Sequence, residues 1–202
     1  MQLTKDIILD AALSILDEYG LGDLTIRRLS RHLETAAGAM YWHFPSKQAL
    51  LGAVADRILS PCTHFSPSGD WRRDTADFSA LLHSCLTSHR DGAEVVSAAL
   101  ATNTATVRPE KTLADALSAA NGAVPEAATI QDTAAVLVYF ILGATVDEQT
   151  ASNLQTAKKS ASSDKELSSS AADVEAEMKK EPGSQRIKLG TELFIAGIAA
   201  RS

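Results

Sequence analysis

The chain is predicted to be all-α, with an N-terminal three-helix helix-turn-helix domain over residues 1–60 and a larger helical C-terminal domain over 61–202. Three observations carry this. Apolar residues recur at the three- and four-residue spacings of a helix face from Ile7 to Ile198, and no alternating run of strand length competes with them. Residues 24–44, LTIRRLSRHLETAAGAMYWHF, read as two short helices with a tight turn between them. Glycine and proline fall at the boundaries between the apolar stripes.

Thr4 and Asp6 suit the start of a first helix over 4–19, as a cap and as a charge matched to the helix dipole. Ile7, Ile8, Ala11, Ala12, Ile15, Leu16 and Tyr19 form its apolar stripe, closed by Gly20 and Gly22. Thr25 caps a second helix, 25–33, on which Ile26, Leu29 and Leu33 share a face. Thr35 is available to cap a third, 37–44, which buries Met40 and Phe44. Helices this short need a longer neighbour, and the first helix supplies it. Ser46 caps a connecting helix, 47–60, that Pro61 stops, and residues 61–69 are a loop by composition.

The second domain opens with a helix from Trp71 to His89, with Phe78, Leu81, Leu82 and Leu86 inward and Asp91-Gly92 as its break. Helices over 93–102 and 109–120 follow, the latter with Pro109 in its first turn and Asn121-Gly122 at its end. Residues 126–150, opened by Pro125, are the most apolar helix; its Ala134 to Val146 run of 13 residues is too short for a membrane span. Residues 151–172 hold seven serines in 22 and few apolar anchors, which reads as a mobile loop or a poorly ordered helix edge. A short helical piece near 173–180 precedes Pro182-Gly183. The last helix, 185–200, carries Ile187, Leu189, Leu193, Phe194 and Ile198. That stripe at a chain end calls for a partner: 126–150 with 185–200 from two chains would make a four-helix homodimer interface, the alternative being that both helices complete a monomer core.

The formal net charge of -6 excludes a basic wrapping protein. Residues 1–60 hold six Lys or Arg against seven Asp or Glu, whereas residues 24–47 place Arg27, Arg28, Arg31 and Lys47 against Glu34 alone. Binding to double-stranded DNA therefore rests on local placement of donors, with side chains and helix N-termini set against phosphates. Cys62 and Cys85 fit no metal-ligand spacing and give no disulfide framework, so a reducing cytoplasm is expected. The N-terminus lacks the basic region and apolar run of a signal peptide. No cofactor and no metal site is expected. Cys62 beside His64, or Cys85 with His89, lacks the setting of a nucleophile, and the chain is not expected to be an enzyme.

The run LTIRRLSRHLETAAGAMYWHFPSKQALL resembles the DNA-binding domain of the tetracycline repressor family. Tyr41-Trp42-His43, Lys47 and Ala49-Leu50-Leu51 carry the first match; His89 to Ala93, Phe140 to Gly143, Asp147-Glu148-Gln149 and Leu193 to Gly197 extend it toward the family's tetracycline-binding branch. The resemblance implies a homodimeric repressor whose second domain binds ligand and dimerises, and which leaves a palindromic operator when a small-molecule inducer enters. It places Thr25, Arg27, Arg28, Ala37, Gly38, Ala39, Tyr41, Trp42, His43 and Lys47 at the DNA. Alanine and glycine offer no bidentate hydrogen bonds to bases, so base discrimination should be shallow or centred on different bases.

The chain departs from the branch's magnesium and drug ligands. The loop histidine's position is Thr63 with His64 adjacent, the asparagine's is Phe78, the aromatic residue's is Leu82 and the metal-binding histidine's is Val96; Asp147 alone keeps an acid. One carboxylate and one displaced imidazole do not hold a hard cation. The expectation is an apolar inducer among Phe78, Leu82, Val96 and Leu100, oriented by Asn103, His64 or Asp147. An activator, or a helix-turn-helix protein-interaction module without an inducer, is the alternative.

Overall fold

The computed structural model describes residues 3–120, 127–163 and 182–200. These form α-helices and short 3-10 turns, with no strand among the described residues. Helix α1 (Lys5–Tyr19) begins where Thr4 Oγ1 accepts from the Ile7 amide at 3.3 Å, and ends at Gly20, whose φ of 83° lies in the left-handed region that glycine favours. Thr25 caps α2 (Ile26–His32) by accepting from the Arg28 amide at 3.1 Å, and Ser46 caps α4 (Lys47–Leu59) through the Ala49 amide at 3.1 Å. Each such cap typically contributes about 0.5–2 kcal/mol.

Helix α3 (Ala37–His43) departs from the expected start. Its cap position is Ala36, not Thr35, and has no capping side chain. Glu34 adopts a left-handed φ of 49° and the Thr35 amide donates back to Ser30 O at 2.9 Å, so Thr35 belongs to the turn, one residue upstream of the cap position. Ile8, Ile15, Leu16, Leu29, Met40, Phe44, Leu50 and Val54 close a shared core under these four helices.

A 3-10 turn, Ser60–His64, replaces the start of the expected loop and leads to α5 (Trp71–Thr87), capped by Asp70 through the Arg72 and Arg73 amides. The preceding loop is fastened by Asp74, which accepts from the Ser68 amide and hydroxyl, each at 2.7 Å, and from the Gly69 amide at 3.1 Å. Next come α6 (Gly92–Ala101) and α7 (Pro109–Ala119), the latter with its proline in the first turn.

Helix α8 (Ala127–Ser163) runs 37 residues, so residues 151–163, expected in a mobile loop or a poorly ordered helix edge, continue the helix. They contain neither glycine nor proline; alanine, glutamine and lysine favour helix, and serine costs only tenths of a kcal/mol. Asn153 anchors the extension by donating to Asp91 Oδ1 at 2.6 Å. Its span Ile130–Lys158 is long and apolar enough to cross a membrane by length and composition, beyond the 13-residue run read from the sequence. Burial of Ile130, Ala134, Leu137, Val138 and Ile141 against α5, α6 and α7 and the last helix accounts for that apolarity. The last helix, α9 (Pro182–Ala199), starts earlier than expected, with Pro182 at its first position. Pro125, the rest of the expected loop and the piece near 173–180 lie outside the described residues.

The two domains are joined by buried approach and by polar ties. A Cβ on Gly52 of α4 would stand 2.2 Å from the Thr104 carbonyl, so the helix touches the α6–α7 connection only because residue 52 has no side chain. One turn on, Asp56 accepts from the Thr106 amide and hydroxyl and from the Val107 amide at 2.6–2.8 Å. Asp91, at φ 55°, accepts from the Leu21 amide at 2.8 Å as well as from Asn153. Asp17 meets His89 Nδ1 at 2.9 Å and the Arg90 amide at 3.1 Å.

Candidate functional site

Helix α3 is held from beneath and bare above. Met40 is fully buried and Phe44 nearly so, which fixes the helix on α1, α2 and α4. The opposite side presents Ala37 and Gly38, with Tyr41 52% and Trp42 91% exposed. An indole so exposed contributes almost nothing to the core; Trp42 does not close the small domain.

The other residues expected at DNA divide into two groups. Arg27 and Lys47 are exposed and flank α3, and His43 and Ala39 are half-buried beside it. Thr25 and Arg28 are committed within the domain. The Thr25 hydroxyl is the α2 cap, and Arg28 pairs with Asp23 at 2.5 Å while its guanidinium lies 3.6 Å from the Tyr19 ring centroid. Arg31 and Gln48 are also exposed near α3, and sequence reading did not assign them to the site.

The residues expected around a ligand are brought together only in part. Phe78, Leu82 and Val96 are each fully buried and fill the interior between α5 and α6. Leu100, half-buried, lines a cavity of about 220 Å³ with Arg108, Glu110, Tyr139 and Leu142. Asn103 is exposed at a left-handed φ of 53° and accepts from Arg108 at 3.2 Å. His64 is exposed, its Nδ1 3.1 Å from Thr63 Oγ1 and 3.2 Å from Ser60 O. Asp147 stands on the outward stripe of α8 with Val136, Tyr139, Phe140 and Leu154, away from Phe78 and Val96.

Sequence distance hid several contacts. Cys62 and Cys85 are both buried, with sulfurs 3.9 Å apart. The contact with Cys85 and burial push the Cys62 thiol above its ordinary value, while the same contact lowers that of Cys85. His83 meets Glu148 at 2.8 Å and ties α5 to α8, while His89 meets Asp17 and ties the α5–α6 turn to α1. No cluster of three or more metal-ligating side chains occurs among the described residues.

Residues 8–54 match the profile of the bacterial regulatory proteins of the tetR family. The chain is 32% identical over 155 residues to the class A tetracycline repressor from transposon 1721 of Escherichia coli, covering 73% of this chain and 68% of the repressor. It is similar in structure to BioQ of Mycobacterium smegmatis, with 35% identity, coverage of 99% and 100% of the two chains, and a TM-score of 0.75. A structure of BioQ with its natural double-stranded DNA operator gives 35% identity, coverage of 98% and 99%, and a TM-score of 0.75.

Proposed function

The chain belongs to the tetracycline repressor family of bacterial regulatory proteins, and from that premise we propose that it is a ligand-responsive repressor acting as a homodimer on a palindromic operator. It is a DNA-binding transcriptional regulator and not an enzyme. The observation that carries the proposal is the helix-turn-helix with its α3 face bare, Tyr41 and Trp42 outward over a buried Met40. Arg27, Tyr41, Trp42, His43 and Lys47 meet the backbone and groove edges, Ala37, Gly38 and Ala39 allow close approach, and Thr25 and Arg28 brace α2 from within. The BioQ complex with operator DNA supports the same use of the domain.

The dimer forms through α8 and α9, whose outward Val136, Tyr139, Phe140, Leu189 and Leu193 are 37–68% exposed in the single chain. Two-fold symmetry then sets paired α3 helices about 34–36 Å apart, one duplex turn. An apolar organic inducer enters among Phe78, Leu82, Val96 and Leu100, with Asn103 and His64 as orienting groups; Asp147, on the outward stripe of α8, takes no part. It displaces the α6–α7 connection. Gly52 and Asp56 pass that displacement to α4, the α3 spacing changes, and operator affinity falls by a coupling free energy of about 1–3 kcal/mol. The protein works in the cytoplasm, where its operator is.

Selection of bound duplexes from a random pool, at stated salt, tests the reading. One enriched palindrome is expected. Enrichment of no sequence by folded, dimeric protein would refute it.

A further inference from the structure

A cleft of about 490 Å³ separates α5 from α9, well within the size of small-molecule sites. Ala76 and Ala80 of α5 face Ile187 and Ile195 of α9 across it. Thr191 also lines it, and the threonine is only 3% exposed.

That hydroxyl is out of keeping with its neighbours. A buried serine or threonine in a helix ordinarily satisfies itself by donating to the carbonyl four residues earlier. Thr75 does so to Trp71 at 2.6 Å, Ser79 to Thr75 at 2.7 Å and Thr145 to Ile141 at 2.7 Å. Thr191 Oγ1 is buried with no hydrogen-bond partner, the one such side-chain atom among the described residues. An isosteric valine would spare the fold this cost, so the hydroxyl is explained by something that enters the cleft.

The remaining polar groups narrow what that is. His83 at one end is already taken by Glu148 at 2.8 Å. At the rim Asp77 pairs with Arg73 at 3.3 Å, which leaves Lys188 and Glu192, one charge of each sign. The walls thus favour neither cation nor anion. Residues 187, 191 and 195 share one face of α9, while Leu189 and Leu193 lie on the opposite one, so a partner covering the leucines leaves the cleft open.

We propose that the α5–α9 cleft is a second ligand site, separate from the Phe78, Leu82 and Val96 region, for an uncharged, apolar-bodied molecule with one hydroxyl or carbonyl oxygen that pairs with Thr191. It is independent of operator recognition and is read without DNA, so its failure and that of the repressor reading are distinguishable.

The test is calorimetric titration of the full chain with 2-naphthol, a neutral aromatic alcohol. Saturable one-to-one binding is expected. Thr191→Val should weaken it about 2- to 10-fold, the share of one neutral hydrogen bond, and should raise the melting temperature of the unliganded protein. Ala80→Phe, at an exposed position on the wall, should abolish binding while helicity and cooperative melting persist. Absence of saturable binding to the unaltered chain, or unchanged affinity in either variant, would overturn the proposal.

Discussion

Asp74 is 1% exposed and carries a structural duty that its charge decides. Burial alone would raise its carboxyl, but the two donors of Ser68, the Gly69 amide and nearby Arg73 outweigh it and hold the group below its ordinary value of 3.8. A carboxyl lowered by folding adds stability that is fully present above the unfolded value and is lost as pH falls through the folded one. Asp74→Asn should therefore be less stable at neutral pH, and its deficit should shrink below about pH 4 as the native carboxyl protonates. Urea melts across that range check this, and a deficit that stays constant to acid pH contradicts it. Trp42 is the converse case. At 91% exposure its replacement by alanine should leave stability within about 0.5 kcal/mol while weakening binding to a selected duplex. Equal loss of both would place the indole in the core after all.

At the scale of the element, α4 joins the helix-turn-helix to the rest of the chain, and Gly52 is where it comes against the Thr104 carbonyl. Gly52→Ala must push α4 away from the Thr104 carbonyl, at a cost of about 1–3 kcal/mol, the usual range for overpacking. The denaturant midpoint should fall accordingly, and an unchanged midpoint would show that the connection yields freely. Most elements were readable in the sequence because their signals are local. Thr4, Thr25 and Ser46 sit one residue before an apolar stripe, and Ile8, Ile15 and Leu16 keep helix spacing. The extension of α8 through Ser163 was not readable. From Ala151 to Lys158 only Asn153 is less than exposed, and its bond reaches a residue 62 positions away. Thr35 was misread as a cap because α3 starts at Ala37, which leaves Ala36 at the cap position and Thr35 in the turn.

For the whole molecule, the proposed dimer rests on the exposed apolar side chains of α8 and α9. Leu189 and Leu193 are 58% and 65% exposed on one face of α9, so Leu189→Glu with Leu193→Glu should convert a dimer into a monomer near micromolar concentration. Sedimentation velocity checks this, and a variant that stays dimeric would move the interface elsewhere. The stretch proposed to face DNA, 25–47, is contiguous, so its short helices and the burial of Met40 and Phe44 were legible. The proposed ligand-facing part was not. Phe78, Leu82 and Val96 are as apolar as a chamber wall and as a filled core, and spacing does not distinguish the two. Thr191 and the cleft it lines arise only when α5 meets α9 across more than 100 residues of chain.

The ties that restrain the DNA-binding unit come late in synthesis. Residues 1–60 are made before the Thr104 carbonyl and the Thr106 and Val107 amides that grip α4, which are translated some 50 positions later. At about 5–20 residues per second this is a delay of roughly 3–10 s. In that interval each nascent chain carries its helix-turn-helix without the contacts that fasten α4. The proposed control by a small molecule would thus be acquired only as the second half arrives.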